Sequence, residues 1–200
     1  MLGLVLGTHN AKKLAEMRQL LAPSGITVRS LAELPNAIEV AETGTTFQEN
    51  AQLKAVQQAQ HLGSWVLAED SGLSVNALAG RPGVYSARYA GEQATDEENN
   101  AKLLEELGST PDAGRGAFYT CQLCLANPAG EVIFEASGRC YGRIGWTPAG
   151  EHGFGYDPLF IIPEYHRTFA QLGPHSKRAI SHRARAMALL RRDFRPPADA

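Results

Sequence analysis

No stretch of this sequence approaches the roughly 20 consecutive apolar residues that a membrane-spanning helix requires, so no membrane association is expected. Cysteine is scarce. Cys121, Cys124 and Cys140 are an odd number, and too few for a disulfide scaffold in 200 residues. Cys121 and Cys124 form a C-x-x-C within the alternating run Phe118 to Leu123, which puts them on opposite faces of a strand. That is a poor arrangement for gripping one metal, and buried free thiols are the expected state. Neither sign of charge prevails: nineteen basic and twenty-one acidic side chains leave a net charge of −2. Nucleic acid is therefore not an expected partner. The opening segment, MLGLVLGTHNAKK, has its basic residues after the apolar stretch, the reverse of a secretory signal, and a cytoplasmic protein is expected. Repeats and low-complexity tracts are also missing.

What is present is an ordinary globular composition, 44% hydrophobic and 20% charged. The length predicts a single domain over residues 1–195, with a disordered tail at 196–200. Strand and helix signals alternate. Leu2 to Leu6 has the length of a buried strand, and Leu14, Met17, Leu20 and Leu21 then recur at helical spacing until Pro23-Ser24-Gly25. Thr46-Phe47-Gln48-Glu49 is a capping box, opening a helix with Phe47, Ala51, Ala55, Ala59 and Leu62 as its apolar stripe. Trp65 to Ala68 reads as a strand that runs into Glu69-Asp70-Ser71-Gly72. A second capping box, Thr95-Asp96-Glu97-Glu98, opens a helix closed by Gly108. Ala117 to Ala126 and Glu131 to Tyr141 read as an antiparallel hairpin about Asn127-Pro128-Ala129-Gly130. A last helix carries Ile180, Ala184, Met187, Leu190 and Phe194 on one stripe. Together these predict an α/β fold with a mixed sheet.

Four places use polar residues in ways that packing does not demand. Thr8-His9-Asn10-Ala11-Lys12-Lys13 joins an apolar strand to a helix, where free N–H groups and lysines suit an anion; alternatively Thr8 or Asn10 only caps the helix. The glycine spacing of a P-loop is absent. Glu69-Asp70-Ser71-Gly72 puts carboxylates at the end of a buried strand, where open α/β sheets place ligands, although the same residues make a common turn. Glu42 supplies a further carboxylate from a loop. Oxygen ligands from separate loops suit Mg2+ better than zinc. Asn50 and Lys54 lie at i and i+4 on one helix face. Gly153-Phe154-Gly155-Tyr156-Asp157-Pro158 either presents Phe154 for stacking on a planar ring or is a tight turn with Phe154 in the core. Ser176-Lys177 and Ser181-His182-Arg183 complete the set; cations in a first helical turn oppose the dipole and call for a reason. Lysines, a helix N-terminus, Mg2+ carboxylates and an aromatic describe a nucleotide polyphosphate site.

The ordered blocks Thr8-x-Asn10-x-x-Lys13, Glu42-Thr43-Gly44, Thr46-Phe47-x-Glu49-Asn50-Ala51, Glu69-Asp70-Ser71-Gly72-Leu73, Pro82-Gly83-Val84-Tyr85-Ser86-Ala87-Arg88-Tyr89, Phe154-Gly155-Tyr156-Asp157-Pro158 and Ile180-Ser181-His182-Arg183 resemble the inosine triphosphate pyrophosphatase family, which includes the bacterial dITP/XTP pyrophosphatases. The resemblance spans residue 2 to about residue 192. It implies an elongated mixed sheet with flanking helices, in two lobes around a central cleft. It also implies Mg2+ dependence, a homodimer, and hydrolysis of dITP, ITP and XTP to the monophosphate and pyrophosphate. On this resemblance Thr8, His9, Asn10, Ala11, Lys12 and Lys13 hold the triphosphate with Lys54 assisting. Asp70 is metal ligand and proton acceptor, Glu42 the second metal carboxylate, and Ser71 a substrate contact. Phe154, Gly155, Tyr156, Asp157, Lys177, His182 and Arg183 grip base and sugar. Two departures stand out: His9 replaces a glycine of many relatives, and Pro174-His175-Ser176 precedes Lys177 where relatives are often acidic. A phosphatase releasing orthophosphate and a non-catalytic nucleotide- or RNA-binding module are the alternatives.

Overall fold

The computed structural model describes residues 3–24 and 26–195. The expected strand start at Leu2 and the expected tail at 196–200 lie outside these residues. Among the described residues the strands are β1 (Gly3–Leu6), β2 (Thr27–Ser30), β3 (Trp65–Val75), β4 (Gly116–Ala126), β5 (Val132–Ile144), β6 (Phe160–Ile162) and β7 (Arg167–Thr168). The helices are α1 (Ala11–Leu21), α2 (Phe47–Leu62), α3 (Asp96–Leu107), α4 (Phe169–Ile180) and α5 (His182–Asp193). The sheet runs β2-β1-β3-β4-β5-β6-β7. β1 pairs in parallel with β2 and β3, whereas β6 is antiparallel to β5 and β7. β4 and β5 are neighbours joined by only five residues; a parallel pair needs a crossover of about a dozen or more, so they form the expected hairpin. The sheet is mixed, as predicted.

The chain divides into two compact units. Among the described residues the first comprises 3–24, 26–70, 121–138 and 183–195; the second comprises 71–120 and 139–182. In the first unit, strand alternation sorts the core into two layers. Leu4, Leu6, Leu67, Cys121, Leu123 and Leu125 pack with Met17, Leu20 and Leu21 of α1 and with Met187 and Leu190 of α5. Val5, Val66, Ala68, Cys124 and Ala126 pack instead with Ala51, Ala55 and Ala59 of α2. These alanines recur every fourth residue, a smooth stripe that can lie flat on the strands. The predicted capping boxes at Thr46/Glu49 and Thr95/Glu98 are both formed.

In the second unit Leu73 and Val75 of β3, Tyr119 of β4 and Ile144 of β5 pack with Leu103 and Leu107 of α3, and with Phe160 and Phe169. Three expectations need correction. β3 does not stop at Ala68 but continues to Val75, so Glu69-Asp70-Ser71-Gly72 is strand rather than turn. The C-terminal stripe is broken at Ser181, whose backbone is extended, and Ile180 belongs to α4. α4 itself was not predicted, although Thr168 and Gln171 form the same capping box used elsewhere.

Candidate active site

Because β3 continues through Glu69 and Asp70, the two carboxylates point to opposite faces of one strand. Asp70 faces α2. Its Oδ1 accepts a hydrogen bond from Lys54 Nζ at 3.0 Å and its Oδ2 one from Asn50 Nδ2 at 3.3 Å. The same Lys54 Nζ lies 3.0 Å from Glu42 Oε1, so one ammonium bridges both predicted metal carboxylates. Asn50 Oδ1 also accepts from Gly44 N at 2.8 Å, which ties the loop after Glu42 to the helix. Burial pushes the Asp70 carboxyl above its usual range, against the pull of Lys54 and Lys13, and Glu42 adds to the rise. For Lys54 burial acts downward, but the carboxylates of Asp70 and Glu42 outweigh it and hold the ammonium charged.

Glu69 faces the other way, towards α1 and α5. It accepts from Arg183 Nε at 3.1 Å and Nη2 at 2.8 Å, the forked geometry that suits guanidinium and carboxylate, and Cys121 Sγ lies 3.0 Å from Oε2. Lys13 Nζ stands 3.6 Å from Glu69 Oε1, and Arg183 Nη1 also pairs with Glu16. Burial alone would raise the Glu69 pKa; Arg183 and Lys13 reverse this and hold it far below the carboxylate range. Arg183 is 1% exposed and engages Glu69 and Glu16.

At the first predicted anion turn, Asn10 is the N-cap of α1. Its Oδ1 accepts from Lys12 N and Lys13 N, both at 3.0 Å, and Thr8 Oγ1 accepts from Asn10 N at 3.2 Å. Asn10 thus caps the helix, and two helix N–H groups already have an acceptor. His9, Asn10, Ala11 and Lys12 are exposed, and Thr8 and Lys13 partly so. Ser71 follows Asp70 on β3 and is partly buried.

In the second unit the turn at 153–158 is built around Asp157. Gly153 has φ +84° and lacks the Cβ that would sit 2.1 Å from Asp157 Oδ2. That oxygen accepts from Phe154 N at 2.9 Å and from Lys177 Nζ at 2.6 Å. Lys177 Nζ in turn lies 4.2 Å from the centre of the half-buried Phe154 ring. His182 stacks on Tyr119, with centroids 4.7 Å apart and planes 13° apart. Tyr156 is buried in the core, and its hydroxyl donates to Ser86 O at 2.9 Å. The phenol pKa rises with that burial.

Two residues that the sequence reading passed over hold this turn from α3. Asp96 Oδ2 accepts from Gly155 N at 2.8 Å, and Asn100 Nδ2 donates to Gly155 O at 3.0 Å. Asp96 was seen only as part of a capping box; its i, i+4 spacing with Asn100 was the available signal.

Glu42 and Asp70 offer only oxygen donors, and a buried carboxylate with a raised pKa gains from a nearby cation. They therefore fit a hard divalent ion that keeps waters or phosphate oxygens as further ligands. Among the described residues no cluster of three or more His, Cys, Asp or Glu side chains could hold a metal. No helix among them is long and apolar enough to cross a membrane.

Comparison with known proteins adds three findings. Residues 4–193 match the model of the Ham1 family. A dITP/XTP pyrophosphatase from Rhodopirellula baltica is 58% identical over 94% of this chain and 91% of its own, and one from Exiguobacterium sp. is 50% identical over 96% and 97%. The structure of a HAM1 protein from Coxiella burnetii superposes with a TM-score of 0.88 at 42% identity, covering 96% of this chain and 98% of that one.

Proposed function

Since the chain belongs to the Ham1 family, we infer that it is a nucleoside-triphosphate pyrophosphatase acting on non-standard purine nucleotides. It hydrolyses dITP, ITP and XTP to the monophosphate and pyrophosphate, and so clears deaminated purines from the nucleotide pool. One observation supports placing the chemistry at Asp70: Lys54 bridges Asp70 and Glu42, which brings a general base, a second carboxylate and a phosphate-binding cation together.

In this reading Asp70 accepts a proton from water, the water oxygen bonds to the α-phosphorus, and the bridging oxygen leaves with pyrophosphate. Burial raises the basicity of its carboxylate, while Asn50 and Lys54 fix its two oxygens in direction. Glu42 and Asp70 would hold Mg2+, which when bound lowers the pKa of coordinated water and offsets phosphate charge. Lys12, Lys13 and Lys54, with Thr8 to Ala11, would receive the triphosphate, and Ser71 would touch it beside Asp70. Phe154 would stack on the base, flanked by Gly155 and Asp157, while Lys177 and His182 would offer donors to a 6-keto oxygen. Adenine presents a 6-amino donor there, so these donors would be left facing it unpaired; such mismatches discriminate by about 10⁴-fold or more. Arg183 would act at one remove, by holding Glu69. We further propose a cytoplasmic homodimer; Cys121, Cys124 and Cys140 are buried cysteines, which fit a reducing compartment.

The test is to measure pyrophosphate and orthophosphate released from ITP, XTP and ATP, with and without Mg2+. Pyrophosphate from ITP and XTP alone, lost on chelation and restored by Mg2+, is the expected result. Orthophosphate as the first product would overturn the reaction, and equal use of ATP the selectivity.

A further inference from the structure

We propose that Asn100, with Asp96, is a positioning residue that sets the 153–157 turn in the conformation that grips the purine; this rests on reading that turn as the base site. Phe154 has no helix or strand of its own to orient it. Its N–H is held by Asp157, and the next peptide group is held at both ends from α3: Asp96 takes the Gly155 N–H and Asn100 gives to the Gly155 carbonyl. Gly155 is at φ +61°, and fixing both its polar groups fixes the path of the chain just beyond the ring.

Asn100 serves this role at a cost. The residue is 7% exposed, and its Oδ1 is buried without a hydrogen-bond donor among the described residues. Turning the amide over would give that oxygen no better company, because it would then face the Gly155 carbonyl oxygen. A buried acceptor left without a donor lowers stability, so packing does not account for asparagine at this position. Leucine would fill the same space at no such cost. What leucine lacks is the Nδ2 donor to the turn. Its neighbour Asn99 makes the contrast: both ends of that amide are used, on Ala90 N at 2.8 Å and Ala87 O at 3.2 Å.

The test compares Asn100→Leu, Asp96→Ala and Asp96→Asn with the wild-type protein. Read out are KM and kcat for ITP, inhibition by IMP and by pyrophosphate, and the melting temperature. Asn100→Leu and Asp96→Ala are expected to raise KM for ITP and weaken IMP about five- to tenfold, the loss of one net hydrogen bond. kcat and pyrophosphate inhibition should hold, because neither depends on the base. The melting temperature of Asn100→Leu should change little, because removing the orphan acceptor offsets the donor lost by Gly155 O, and Asp96→Asn, which keeps an acceptor for Gly155 N–H, should restore KM. A lower melting temperature with unaltered KM would overturn the proposal, as would equal weakening of IMP and pyrophosphate. Should Asn100→Leu fail to fold, the Asp96 pair decides. If the wild-type protein itself does not bind IMP, the reading of the turn as the base site falls, and this inference with it.

Discussion

Around Asp70 side chains are placed by charge, most of them on regular elements; around Phe154 the main chain is placed by polar pins on a loop. The first arrangement draws on β3 and α2, whose backbones need no help, and one lysine aligns two carboxylates. The second has two glycines at positive φ and depends on Asp157, Asp96 and Asn100 for its shape. Chemistry that must be strong can sit on a strand, where a side chain's direction follows from the pleat. A surface that must fit a ring needs a turn, and a turn keeps its form only when its peptide groups are satisfied.

The sharpest way to break this contrast is Asp70→Asn. Turnover should fall by about 10²- to 10⁴-fold with melting little changed, since a buried carboxylate with a raised pKa contributes little to stability. Near-normal pyrophosphate release would refute the assignment. Glu69→Ala, one residue earlier, should act on the other quantity. It strands the Arg183 guanidinium in the interior, and urea unfolding should read a loss of about 3–5 kcal/mol. If stability barely moved, the buried pair would not be the anchor described here. In the turn, Gly153→Ala demands a Cβ 2.1 Å from Asp157 Oδ2 at φ +84°. The backbone conformation alone costs an alanine about 1–2 kcal/mol, and KM for ITP should rise while kcat holds. A fall in kcat instead would blur the division of labour. The smallest expected difference concerns folding. The chain passes between the two units four times, so we expect one shared transition rather than two. Trp65 and Trp146, the only tryptophans, lie one in each unit, and the single variants Trp65→Phe and Trp146→Phe should report coincident fluorescence melts. Separate transitions would make the units independent domains.

Much of the frame was legible along the chain. Capping boxes are local, and a threonine three residues before a glutamate satisfies the same orphan N–H groups wherever the helix lies. The alanine stripe of α2 and the hairpin turn at 127–131 are local in the same sense. Asp70 and Glu42 were recognisable by residue type and motif. The short strands β2, β6 and β7 were not: Thr27-Val28-Arg29-Ser30 lacks the apolar run that marks β1, and β6 and β7 are only three and two residues long.

The sequence by itself determined which residues have chemistry to offer, where most helices begin, and which family pattern they follow, since these depend on neighbours a few positions away. Only the tertiary structure decided that adjacent Glu69 and Asp70 serve opposite faces, that Arg183 is engaged by carboxylates, and that Asn100 holds a turn 55 residues distant. The reason is physical. Partners so far apart meet only when the strand's pleat and the helix's packing fix the direction of each side chain, and no local rule contains that direction.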